Sequence, residues 1–168
     1  MRLPLVSLVL VAVAIAVLPA CGRQAPPPAP VAPISGWTAT NTEATVNGLS
    51  GALAAHSWVG QFREANGRQP VVEVRLPEDR SADHVPVDEV AQAYAKALGA
   101  SDRLLTASQG QVADVALVTI VGLRKAGTAT FFTVDARVVD ARTGDVRWTG
   151  GLELPRQEPV APAPQPAP

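Results

Sequence analysis

Val138-Val139-Asp140-Ala141-Arg142-Thr143-Gly144-Asp145-Val146-Arg147-Trp148 decides how the folded part of this chain is built. A β-rich run enters it, a polar group containing one glycine fills its middle, and a second β-rich run leaves it, which is the composition of a hairpin. Upstream, Phe132, Val134, Ala136 and Val138 alternate with Thr133, Asp135 and Arg137, so the first strand has one buried and one wet face. A four-residue loop would set Val139 opposite Val146 and Arg137 opposite Trp148, apolar face against polar face. A three-residue loop, Arg142-Thr143-Gly144 with Gly144 left-handed, sets Val138 opposite Trp148 and Ala136 opposite Gly150. The second register keeps the apolar faces together and is the expected one.

Working outward, the last strand runs from Asp145 to Leu154 and stops at Pro155, while Val115 to Leu123 is a near-continuous apolar run suited to the middle of a sheet. Lys125-Ala126-Gly127 turns it into the hairpin. Arg103 to Thr106 reads as a short strand, and Pro70 to Leu76 as a central strand closed by Pro77. Between these lies the clearest helix. It starts near Pro86, carries Asp88 and Glu89 in its first turn, aligns Val87, Val90, Ala91, Tyr94 and Leu98, and ends at Gly99. A first helix is expected from Val46 to Phe62, on the spacing of Val46, Leu49, Leu53, Val59 and Phe62, although Gly48, Gly51 and Gly60 weaken it. Arg63 to Gln69 then makes a polar turn in which Asn66-Gly67 suits positive φ. The order predicts an α/β fold: helices packed on a small mixed, largely antiparallel sheet.

The flanks have a different character. Residues 1–20 have a basic start, an apolar segment and a small residue before Cys21, the layout of a secretory signal. Leu18-Pro19-Ala20-Cys21 resembles the lipobox of bacterial lipoproteins, which implies lipidation of Cys21, the sole cysteine. The competing readings are a membrane helix, for which the apolar run is short, and a plain signal with a stray thiol. Gly22, rather than an aspartate, follows the cysteine, which favours the outer membrane in a Gram-negative source. Residues 21–45 read as a proline-rich linker with Trp37 inside it, residues 46–155 as the domain, and residues 156–168 as a proline-alanine tail without a fold of its own.

Composition narrows the function. Loss of Arg2 with the signal takes the formal net charge from −1 to about −2, so no strong field attracts nucleic acid. His56 and His84 are the only histidines; Asp79, Asp83 and His84 share a loop but lack a further ligand at metal-binding spacing, so they read as a solvated loop. Asp114, Asp135, Asp140 and Asp145 read as strand-end and surface residues. No nucleophile elbow, phosphate-binding loop or dinucleotide fingerprint is present, so no catalytic, cofactor or metal residues are expected.

Gly67 to Val74, the loop with Ser81 and His84, the helix ending at Leu98, Ala113 to Leu117 and the hairpin Val138 to Trp148 together resemble the LpoB family of outer-membrane lipoproteins. The resemblance covers most of residues 45–154 and implies a domain similar to the N-terminal domain of TolB and to part of the secretion lipoprotein CsgG. It also implies non-enzymatic work: docking on a bifunctional penicillin-binding protein and stimulating peptidoglycan synthesis. The linker is short for crossing the periplasm, and the segment from Arg103 to Val115 is compact for the family. The alternative is a structural or secretion-associated lipoprotein in the manner of CsgG, and a third reading is a ligand-binding module. Candidate partner-contacting residues are Trp58, read as core or docking anchor, and Arg75 in the central strand.

Overall fold

The computed structural model describes residues 36–157. Thr38 opens the first helix, α1 (Ala39–Ala55), with a reciprocal cap in which its hydroxyl accepts from the Asn41 N–H at 3.3 Å and its own N–H reaches Asn41 Oδ1 at 3.1 Å. The helix therefore begins seven residues before the expected Val46. Its first half buries Asn41 and Thr45, polar side chains that give no apolar period to read. Trp37, expected in the linker, is 8% exposed and packs edge-on against Phe132 with ring centroids 5.0 Å apart. Its indole N–H is satisfied by the Thr42 hydroxyl at 2.8 Å.

The expected single helix is two helices. His56 is extended at φ −69 and ψ 146, and its ring nitrogen accepts from the Trp58 N–H, ending α1 and starting α2 (Ser57–Asn66). Gly67, at φ 65, closes α2 in the left-handed conformation expected of the Asn66-Gly67 pair.

Beyond it come β1 (Val71–Val74), β2 (Glu78–Asp79), α3 (Val87–Gly99), β3 (Leu105–Thr106), β4 (Val115–Ala126), β5 (Ala129–Asp140) and β6 (Val146–Pro155). The strands form one sheet in the order β3-β1-β4-β5-β6, with β2 pairing β4 past the end of β1. Pairs along β3, β1, β2 and β4 are parallel; β4, β5 and β6 are antiparallel. This is the expected mixed sheet, with β2 added where a polar loop was expected. The two-residue β2 forms because the chain, after Pro77, continues alongside β4 in the same direction, opposite Ile120 and Val121.

α1 packs over β6 and beside α3, which covers β3 and β1. Val90, Tyr94 and Leu98 of α3 are buried with Leu49, Leu53, Val72, Leu117, Phe132, Val138 and Trp148 in one core. On the other face β5 turns Asp135 and Arg137 to solvent, so the domain has two layers.

The hairpin contains both registers. At its tip Val139 faces Val146, closing a loop in which Asp140 N donates to Asp145 O and Gly144 N to Asp140 O. One residue further the register shifts, leaving Arg147 as a bulge, and Val138 faces Trp148 and Ala136 faces Gly150 as expected. Asp140 explains the tip: its Oδ1 accepts the N–H groups of Arg142 and Thr143, each at 3.0 Å, which favours the wider loop. The bulge then restores the apolar pairing. Gly144 is left-handed, at φ 79.

Candidate partner-binding surface

Strand direction gives the domain two unlike ends. Gly36 and Gln157, the first and last described residues, form an antiparallel bridge, so the chain enters and leaves side by side. Asp83 pins that end by a two-point ion pair to Arg156, at 2.5 and 3.0 Å. β4 runs away from the opposite end, where α2, the β5–β6 hairpin tip and the loop 107–114 meet. Its length separates the two ends by roughly 40 Å.

The far end is built on a ridge. Asp114, at the start of β4, accepts Arg68 through both guanidinium nitrogens at 2.7 Å and the Val71 N–H at 2.8 Å. Its backbone oxygen takes the N–H of Ala141 at 2.9 Å, which ties the loop before β4 to the hairpin tip. Asp140 on that tip accepts Arg147 at 2.8 Å. The Arg68 guanidinium holds the Asp114 carboxyl below the usual carboxylate range, helped by the Val71 N–H. Arg147, then the Thr143 and Arg142 N–H groups, lower Asp140 in the same way. Both aspartates stand at strand ends, as the sequence suggests.

A cleft flanks the ridge on each side. On the helix side a cleft of about 310 Å³ is lined by Trp58, Phe62, Asn66, Asp114, Asp140 and Arg147. On the other side a cleft of about 490 Å³ lies among Glu73, Arg75, the loop 107–113 and Ala141. The two residues singled out by sequence thus border one ridge from opposite sides and share no surface. Trp58 is 8% exposed and belongs to the core, the first of its two readings. Arg75 is exposed, with Nε 3.5 Å from Glu73. Sequence reasoning did not single out Val112, which is 89% exposed in the same cleft as Arg75. The signal was a large apolar residue directly after the polar run Ser108-Gln109-Gly110-Gln111.

The loop that held Asp79, Asp83 and His84 is consumed structurally. Asp79 accepts from Ser81 N, Ser81 Oγ and Val85 N, and Asp83 from Arg156, while Ala82 and His84 are left-handed. Among the described residues no three His, Cys, Asp or Glu side chains are grouped to hold a metal, and no helix is long and apolar enough to cross a membrane. Cys21 lies outside the described residues.

What these features define is a two-layer α/β domain with its chain ends together and an ion-paired ridge opposite. No family model and no curated protein sequence matches the chain. Among solved structures it is similar to the LpoB C-terminal domain from Salmonella enterica, at 15% identity and a TM-score of 0.41, covering 59% of this chain and 93% of that one. It is also similar to E. coli LpoB determined by NMR, at 15% identity and TM-score 0.42 over 94% and 86% of the two chains. A third is the lipoprotein GNA1162 from Neisseria meningitidis, at 19% identity and TM-score 0.41, covering 52% and 81%.

Proposed function

We propose that this chain is an envelope lipoprotein, anchored through Cys21 to the periplasmic face of the outer membrane, that binds and activates a bifunctional penicillin-binding protein without catalysis of its own. The observation that carries the reading is the polarity of the domain. With entry and exit paired at Gly36 and Gln157, an anchor upstream holds that end toward the membrane and turns the ridge, Arg75 and Val112 away from it. The sequence resemblance supplies the partner class, and the lipobox supplies the anchor.

The test is affinity recovery from detergent-solubilised envelopes with the full chain, processed from its own signal, as bait. A peptidoglycan synthase in the eluate, reduced by Arg75→Glu and Val112→Asp at unchanged melting temperature, is the expected result, and it leads to a glycan-polymerisation assay. Envelope proteins without any such synthase would sink the reading. Labelled palmitate incorporated into the chain, and lost in Cys21→Ser, tests the anchor separately.

A further inference from the structure

We propose that the cleft between α2 and the segment joining α3 to β3 binds a peptide carboxylate, held jointly by Arg63 and Arg103. Six of the ten described arginines, Arg68, Arg75, Arg80, Arg124, Arg147 and Arg156, have a carboxylate partner. Of the other four, Arg137 stands on β5 and Arg142 in the hairpin loop, while Arg63 and Arg103 line one cleft of about 450 Å³ with Val59, Gly60 and Glu64. Among the described residues neither of these two guanidiniums makes an ion pair or a hydrogen bond. α2 separates this cleft from the ridge. It turns Gly60, Arg63 and Glu64 to the one, and Trp58, Phe62 and Asn66 to the other.

Both arginines are presented from fixed backbone. Gly60, Arg63 and Glu64 stand three and four positions apart and so share one face of α2. Opposite them, the Arg103 N–H donates to Ser101 Oγ at 3.2 Å, the Asp102 carbonyl accepts the Gln69 side-chain amide, and Leu104 is fully buried. The Arg103 side chain lies back over α2, where a Cβ built on Gly60 would come 4.0 Å from its Nη2. Gly60 gives that turn of the helix no side chain, so the space beside the two guanidiniums stays open, with buried Val59 among its walls.

Charge selects the ligand. Two guanidiniums and the Glu64 carboxylate leave one positive charge in the cleft, which a monoanion balances; a phosphate dianion would reverse it and face Glu64. A carboxylate also suits the planar guanidinium fork, which offers paired N–H donors to its two oxygens. The cleft exceeds a lone carboxylate and falls within the range of small-ligand sites, about 300–1,000 Å³, so adjoining peptide atoms fit beside the charge. A chain end and an acidic side chain both supply this group. At the ridge, by contrast, Asp114 and Asp140 already occupy Arg68 and Arg147, so an incoming carboxylate finds no free guanidinium there. The site stands independently of the partner proposed above.

NMR titration of the isotope-labelled, detergent-purified full chain reads binding at the backbone amides of Gly60, Arg63, Glu64 and Arg103. The probes are N-acetyl-dialanine, charged at its chain end alone, and N-acetylglutamic α-amide, charged at its side chain alone; N-acetyl-dialanine amide is the neutral control. Saturable shifts are expected from at least one charged probe, with a dissociation constant of about 1–10 mM, and the probe that binds more tightly identifies the source of the carboxylate. Arg63→Gln and Arg103→Gln should each weaken binding about tenfold at unchanged melting temperature, since neither side chain has a partner to lose. Arg103→Lys, which keeps the charge and loses the fork, should weaken it too, and carries the test if a glutamine variant is unstable. Glu64→Gln should raise the affinity for dianionic inorganic phosphate more than for the carboxylate. No shift from either charged probe up to about 50 mM, equal shifts from the neutral amide, phosphate bound by the parent chain as tightly as the carboxylates, or binding untouched by all three arginine variants would overturn the proposal.

Discussion

Gly150 lies directly under the indole of Trp148: a Cβ added there would come within 2.5 Å of the ring atoms Cζ2 and Cη2, and within 3.2 Å of Leu49 Cδ2. The two residues sit on the same face of β6, so the ring folds along its own strand and fills the space a side chain would take. Gly150→Ala must displace the tryptophan from its place between α1 and Val138. Overpacking of this kind costs about 1–3 kcal/mol, read as a lower urea midpoint with an unchanged slope. An unaltered midpoint would show that Trp148 has room the packing does not reveal.

Acid should loosen the ridge. Arg68 holds Asp114 below the usual carboxylate range, and Arg147 does the same for Asp140, so the unfolded chain binds these protons more tightly than the folded one. Their contribution is present above the unfolded-state pKa of about 3.9 and is lost as pH falls from there through the lower folded-state values. Urea unfolding at neutral pH and near pH 3 should show this loss in the parent chain. In Asp114→Asn the neutral-pH stability drops and the dependence on pH becomes shallower. An identical pH profile in both chains would mean that the Arg68–Asp114 pair contributes nothing to folding.

Trp37 tests where the folded unit begins. It is buried against Phe132 and hydrogen-bonded to Thr42, although it stands amid residues with linker-like composition. Trp37→Ala should cost about 3–5 kcal/mol, the range for emptying a large aromatic site in a core. Deleting residues 36–45 should leave a chain without a cooperative transition, since Asn41, Thr45 and the Thr38 cap go with it. A truncated chain that melts like its parent would restore the domain boundary expected from composition.

The elements that sequence reveals and those it hides differ for a physical reason. α3 is legible because Val90, Tyr94 and Leu98 bury one apolar stripe behind an acidic first turn. The β5–β6 pairing is legible because period-two alternation makes the wrong register bury charge. α1 is obscured where Asn41, Thr45 and Ser50 occupy buried positions and Gly48 and Gly51 lower the propensity. The break at His56 shows only as the six-residue step from Leu53 to Val59, about 120° off a continuous helical stripe, and no proline or glycine between them announces it. At the far end, Arg68 and Asp114 stand 46 positions apart and meet only because β1 and β4 pair in parallel. Local pattern cannot supply that pairing, and with it goes the separation of Trp58 from Arg75.

Trp58 distinguishes packing from docking most sharply. Its ring is part of the core, yet its Nε1 is buried with no hydrogen-bond partner among the described residues. A buried donor left unpaired costs about 1–3 kcal/mol, so Trp58→Phe trades lost volume for relief of that cost and should stay within about 1 kcal/mol of the parent. Trp58→Ala leaves a cavity instead and should lose about 3–5 kcal/mol. In recovery from envelopes, Trp58→Phe should retain the partner as well as the parent chain does, because the ring contributes by supporting the ridge that Asp114 and Asp140 build. Loss of the partner by Trp58→Phe at full stability would instead assign the indole N–H to the interface itself, where it would have found in the bound partner the acceptor it lacks in the free domain.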